Sequence, residues 1–344
     1  MARGTQKLFT TMDSYHNADK DWVIELQESN NIWYDLIANP NEYNLKISTK
    51  KIIVDQLKSL KKEIESNLEK RFIYFICTRT KVRFNIQKKV TFNSLTKKLT
   101  IHLLIGKNKI KKSIKIQPVD LDGNIVNNPK VEITEKFITI FDEKNFFIVY
   151  PIHDLLSVYN IKLNIYTNVH YVGYTKNPDT RPTNGAHSGF NDVLYNVSHD
   201  DNDIFIFFNI FKVTAVTRDN NFNKKIIFPN SMSDEINLDD EGLIIEKCLI
   251  LYFNSQNQIK NRKAEKTELE NYLINISNNK KIKSIQFHYE FEKYNEYWKL
   301  YSSRITASMK HLFSIEINND LLDFKLGSVM ISDLHKQYNK SERL

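Results

Sequence analysis

The side chains best suited to proton transfer and oxyanion chemistry stand in the second half of the sequence. Tyr171 opens the run Tyr-Val-Gly-Tyr-Thr, with Gly173 and Thr175 close behind. Arg181 follows ten residues after Tyr171, and His187 six residues after that. Two further phenols precede the run: Tyr150, which ends Phe-Phe-Ile-Val-Tyr, and Tyr159 in Ser-Val-Tyr-Asn. Glu246 lies downstream in Leu-Ile-Ile-Glu-Lys-Cys-Leu-Ile-Leu. A helix that apolar is expected to be largely buried, and a buried carboxylate is costly unless it is paired or bound to a metal. Phenol and imidazole can relay protons, and a guanidinium fork grips a phosphate in a fixed geometry.

Other candidates carry less. Asp192, His199, Asp200, Asp201 and Asp203 read as a solvated acidic turn. His170 directly precedes Tyr171, so on a regular strand it should face the opposite way. Cys77 and Cys248 sit in apolar runs and read as buried thiols, and no Cys/His spacing suits zinc.

The elements that must position these groups follow from periodicity. Residues 48–71 have the apolar spacing of a helix. The runs 71–78, 81–86, 88–95, 98–106 and 112–119 are β-branched and aromatic, with turn residues between them. Residues 131–151 read as two strands joined at 142–145. Residues 152–161 read as a short helix, 168–175 as a strand, and 177–197 as a loop leading into a helix. Residues 203–216 form the most apolar strand. Residues 239–256 read as a helix capped by Asp239 or Asp240, and residues 263–276 and 290–313 as further helices. Residues 1–45 mix short helical and loop patterns.

Charge is uneven. Residues 1–140 hold 25 basic and 15 acidic side chains, against 24 and 26 in the remainder. Residues 71–119 contain thirteen bases and no acid. Bases alternating with apolar residues along strands would line one face of a sheet, and such a face suits a polyanion. Arg79, Lys81, Arg83, Lys88, Lys89, Lys97 and Lys98 are the candidate nucleic-acid contacts. The N-terminal residues lack an apolar signal core, and no stretch approaches the roughly 20 apolar residues of a membrane helix. A soluble, cytoplasmic protein is expected.

Tyr171-Val172-Gly173, Thr175, Arg181 and the Glu246-x-x-Leu-Ile pattern, with Asn257 beyond it, resemble the GIY-YIG nuclease superfamily over about residues 146–260. No literal Gly-Ile-Tyr is present. Tyr150 and Tyr159 could each supply that tyrosine, and Tyr150 is preferred because its run reads as a strand. The resemblance implies a Mg²⁺-dependent DNA endonuclease, of restriction or defence type. It implies that Glu246 holds the ion, that the GIY-type tyrosine is general base, and that Tyr171 bonds the phosphate or the water. Arg181 would contact phosphate oxygens, and His187 would be a second acid or base. The alternative is a nucleic-acid-binding protein with an inactive nuclease fold. The expected fold is α+β. A basic β-rich domain spans 1–135, and a small antiparallel sheet flanked by helices spans 140–262. A helical extension over 263–344 covers the core or forms a homodimer.

Overall fold

The strand β11 (Asn202–Thr217) organises the molecule. Every residue from Asp203 to Phe211 is buried, as expected of a strand covered on both faces. The computed structural model describes residues 2–38, 49–120, 122–178, 191, 193, 195, 197, 200–218, 225–253, 262–292, 295–318 and 321–326. Around β11 a nine-stranded sheet assembles. Its members are β1 (Lys20–Trp33), β2 (Phe72–Thr80), β10 (Thr167–Thr175), β12 (Ile227–Pro229), β13 (Ile282–Glu290), β14 (Leu300–Tyr301), β15 (Lys310–Asn318) and β16 (Leu321–Leu326). The order is β14-β10-β2-β11-β1-β13-β15-β16, with β12 also on β11. Pairings are antiparallel except β1 with β13 and β10 with β14.

Alternation along β2 and β11 divides the core. Ile73, Phe75, Cys77, Phe205 and Phe207 face one side. Helices α3 (Leu238–Phe253) and α4 (Arg262–Lys280) cover that side, α3 through Ile244, Ile245, Cys248 and Leu249. Phe72, Tyr74, Ile76, Ile204, Ile206 and Phe208 face the other side, where Leu57, Leu60 and Ile64 of helix α1 (Thr49–Ser66) pack on them. Each large apolar side chain so buried contributes about 1.5–3 kcal/mol by leaving water. Cys77 and Cys248 are buried free thiols, and burial raises both pKa values.

Between β2 and β10 the chain leaves the sheet and comes back. The excursion contains a four-stranded sheet of β3 (Val82–Phe84), β4 (Thr91–Asn93), β5 (Lys98–Ile105) and β6 (Ile110–Ile116). A three-stranded sheet of β7 (Lys130–Ile133), β8 (Phe137–Phe141) and β9 (Phe147–Pro151) follows, then helix α2 (Ile152–Val158). The return is direct, since Asn168 of β10 stands opposite Thr78 of β2.

This topology corrects the expected division of the chain. A boundary at 135–140 falls inside the excursion, while β2 is hydrogen-bonded between β10 and β11. The sheet is neither small nor confined to 140–262. Among the described residues of 263–344, α4 is the only α-helix, and β13, β15 and β16 continue the central sheet in place of a helical extension. The described residues of 290–313 form no α-helix but a short 3-10 turn (Glu296–Trp298), β14 and the start of β15. Their apolar spacing suits either period, and pairing with β10 and β13 decides. β1 is masked in the sequence by its polar middle, where the register shifts between Leu26 and Glu28. The mixed α and β character is as expected. Among the described residues, no helix is long and apolar enough to cross a membrane.

Candidate functional site

Tyr171 and Gly173 lie on β10, with Gly173 directly opposite Tyr74 of β2. A β-carbon on Gly173 would lie well inside 3.0 Å of the Tyr74 ring. The glycine of Tyr-Val-Gly therefore admits a neighbouring ring at close approach. The rings of Tyr74 and Tyr171 stack, with centroids 5.9 Å apart and an interplanar angle of 27°. Tyr74 is fully buried and Tyr171 half-buried. On the outer side of β10, β14 pairs with Thr167 and Asn168.

A bulge lies at His170: Val169 pairs with Cys77, but Tyr171 pairs with Ile76. The extra residue breaks the alternation. His170 accordingly turns to the face of Tyr171, not away from it, and its Nε2 lies 2.8 Å from Thr78 Oγ1. Burial pushes the imidazole pKa down to about 4.

Tyr150 lies elsewhere. Its strand β9 pairs with β8 in the three-stranded sheet, where Tyr150 stands opposite Ile138. Its ring packs edge-on against Tyr159 at 6.2 Å. The two tyrosines expected to compete for one role are neighbours of each other: Tyr159 follows α2, and β9, which carries Tyr150, pairs with β8 and not with β10. The tyrosine beside Tyr171 is Tyr74, in Phe-Ile-Tyr-Phe. The strand pattern of that run is the available signal, but the intervening excursion separates it from Tyr171 in sequence.

Glu246 lies on α3, which packs on β10 and β2. It is half-exposed, not largely buried as its apolar neighbours suggest. The fully buried carboxylate of this helix is Glu241, which forms ion pairs with Arg3 and Arg71 and accepts from Asn230. Arg71 also pairs with Glu69 at 3.0 Å, and Arg3 with Asp234 at 2.7 Å. Asn237 caps the helix, accepting from the Asp239 and Asp240 amides, so neither aspartate is the cap. Gly242 takes the Tyr174 ring against its backbone. The Tyr174 hydroxyl donates to Asp239 at 2.7 Å, and Lys176 pairs with Asp239 at 2.5 Å. One turn after Gly242, Glu246 lies on the same side of the helix. Tyr171 packs on the opposite face of the sheet from α3. Arg181, His187 and Asn257 lie outside the described residues.

The basic residues separate into two groups. Arg79 is buried, donating to Thr167 Oγ1 at 2.8 Å and the Tyr297 carbonyl at 2.9 Å, with its guanidinium 4.1 Å from the Phe205 ring centroid. Burial lowers its pKa to about 10. Arg83 grips Asp203 through two hydrogen bonds of 2.8 Å. Arg79 is thus no surface contact, while Arg83 is half-buried and engaged by Asp203. Asp203 is correspondingly no solvated turn residue: it is buried and also bonded by His153 Nε2 at 2.8 Å. Burial alone would raise the Asp203 carboxyl, but the bonds from His153 and Arg83 outweigh it and hold it well below the usual range. Burial lowers the pKa of His153, so the constant positive charge there is Arg83.

Lys88, Lys89 and Lys98 are exposed, while Lys81 and Lys97 are half-exposed. The strands extend this basic character. Lys98, Thr100, His102 and Leu104 of β5 share an outward face with Lys111, Ser113 and Lys115 of β6, since Lys111 stands opposite Leu104 and Lys115 opposite Thr100. The inward residues Leu99, Ile101, Leu103, Ile114 and Ile116 are buried.

Comparison with protein-family models, with curated proteins and with solved structures returns no match.

Proposed function

We propose that the protein is a Mg²⁺-dependent DNA endonuclease, of restriction or defence type, reacting at the edge of β10 that carries Tyr171 and Gly173. The observation that carries this reading is the Tyr74 ring lying across Gly173 beside Tyr171. It offers a candidate for the second tyrosine that the nuclease resemblance implies, with Tyr74 in place of Tyr150 or Tyr159. A phosphate resting on this edge would lie between Tyr171 on one face and Glu246 on the other.

One half-exposed carboxylate fits an ion that keeps most of its waters and binds through one or two carboxylates and the substrate phosphate. Glu246 would hold it. When bound, such an ion lowers the pKa of water and offsets charge on the phosphate. Tyr171 would orient the phosphate or the attacking water by hydrogen bonding. Arg181 would grip phosphate oxygens, and His187 would supply or accept a proton. The lysine face of β5 and β6 would position the DNA backbone without specifying sequence.

The full burial of Tyr74 favours a second reading, binding without hydrolysis. Cleavage of plasmid and genomic DNA with Mg²⁺ separates the two, using wild type, Glu246→Ala, Arg181→Ala and Tyr171→Phe. Cleavage by wild type that each folded variant loses supports the nuclease. Salt-sensitive binding by all four proteins without any cleavage supports the second reading.

A further inference from the structure

A groove of about 580 Å³ lies between β4 and β7 in the excursion, and none of its lining residues belongs to β10. Its floor is apolar: Leu99 is buried, while Phe92, Val131 and Ile133 are half-buried and show residual surface. Its rim carries Lys88 and Lys89, both exposed, and Ile86, which is 54% exposed. Lys130 also lines it, paired with Glu132 at 3.0 Å. None of the lining residues is acidic.

We infer that this groove binds an unpaired nucleic-acid strand. Duplex DNA presents phosphates outward and keeps its base faces stacked, so an apolar floor offers it nothing. The flat lysine face of β5 and β6 suits a duplex. An unpaired strand presents both phosphates and apolar base faces. Phe92 gives a ring on which a base can stack, and Lys88 and Lys89 stand where the backbone would pass. An extended acidic peptide could pair with a strand edge in such a groove. The nucleic-acid strand is favoured because residues 71–119 contain no acid, a charge distribution that concentrates polyanions over the whole module. The inference rests on the nucleic-acid reading above and adds that the bound substrate has a single-stranded portion.

The test is fluorescence anisotropy on the full chain with a chelator present, so that no cleavage is needed. The probes are a labelled oligothymidylate and a duplex of equal length, and the proteins are wild type, Ile86→Ser, Phe92→Ala and Lys88→Glu with Lys89→Glu. Loss of stacking predicts that Phe92→Ala weakens oligothymidylate binding about tenfold, with duplex binding unchanged within about twofold. Ile86→Ser, at an exposed position, keeps the test valid if Phe92→Ala does not fold, and should shift binding in the same sense. Unchanged oligothymidylate affinity in every folded variant overturns the inference. So does equal weakening of both probes, and so does binding of a Glu/Leu peptide where oligothymidylate fails. Groove-dependent binding by a protein that never cleaves leaves the inference standing and removes the nuclease.

Discussion

The Tyr74 ring fills the space that a side chain on Gly173 would need. The two residues join adjacent strands at a buried position, and the consequence is direct. Gly173→Ala should destabilise the protein by about 1–3 kcal/mol, the ordinary cost of overpacking. Urea unfolding of Gly173→Ala, Tyr74→Ala and the double variant measures the coupling. The double variant should be more stable than the sum of the single losses implies, because removing the ring makes room for the methyl group. Simple additivity would mean that the two residues do not compete for space.

Glu241 and Glu246 stand on the same helix and should respond in opposite ways. Glu241→Gln weakens a fully buried carboxylate held by two arginines, so a loss of about 3–5 kcal/mol is expected in equilibrium unfolding. Glu246→Gln at a half-exposed position should change stability by no more than about 0.5 kcal/mol and abolish DNA cleavage.

Stability should fall on acidification in two stages. Burial lowers the pKa of His170 and of His311 to about 4, from an ordinary value of 6.5. The unfolded chain binds the proton first, so their contribution is complete above about pH 6.5 and is lost as pH falls toward 4. The slope is at most about 1.4 kcal/mol per pH unit for each histidine. Asp203, held below the usual carboxylate range, contributes above the unfolded value of about 3.9, and that contribution disappears only under stronger acid. Urea midpoints between about pH 7 and pH 4 should drop for wild type and drop less for His170→Gln.

The two groups of bases should separate in a salt titration of duplex binding. Lys98→Glu, Lys111→Glu and Lys115→Glu change exposed side chains on the outward face. Each should weaken binding and reduce the log–log salt slope by about 0.9 for each phosphate that is no longer neutralised. Arg79→Met removes a buried guanidinium with two hydrogen bonds and an aromatic partner. It should lower the melting temperature without changing the salt slope of whatever protein remains folded.

Local structure is largely legible in the sequence. The strands from β2 to β6, β10 and β11, and the helices α1, α2 and α3, are signalled by β-branched runs and helical spacing. Long-range pairing is not. Nothing in Phe-Ile-Tyr-Phe-Ile-Cys-Thr states that its partners are 167–175 and 202–217, so local pattern favours Tyr150 and overlooks Tyr74. Burial of charge is hidden for the same reason. Glu241 and Glu246 both stand in an apolar helix, and only the distant Arg3 and Arg71 determine which one is enclosed. Arg79 and Lys98 look alike in a basic run, but the Phe205 ring and the Tyr297 carbonyl draw one of them into the core.

The excursion also governs how the protein is made. β2 leaves the ribosome long before β10 and β11, the two strands that flank it, have been translated. Until residues 167–217 arrive, a run of nine strand residues, eight of them destined for full burial, keeps both hydrogen-bonding edges open. An exposed apolar edge of this kind recruits other chains. In the four-stranded module in between, β4 with β5 and β5 with β6 are hairpin neighbours and β3 pairs with β5 across β4, so every pairing is local in sequence and needs none of residues 167–217.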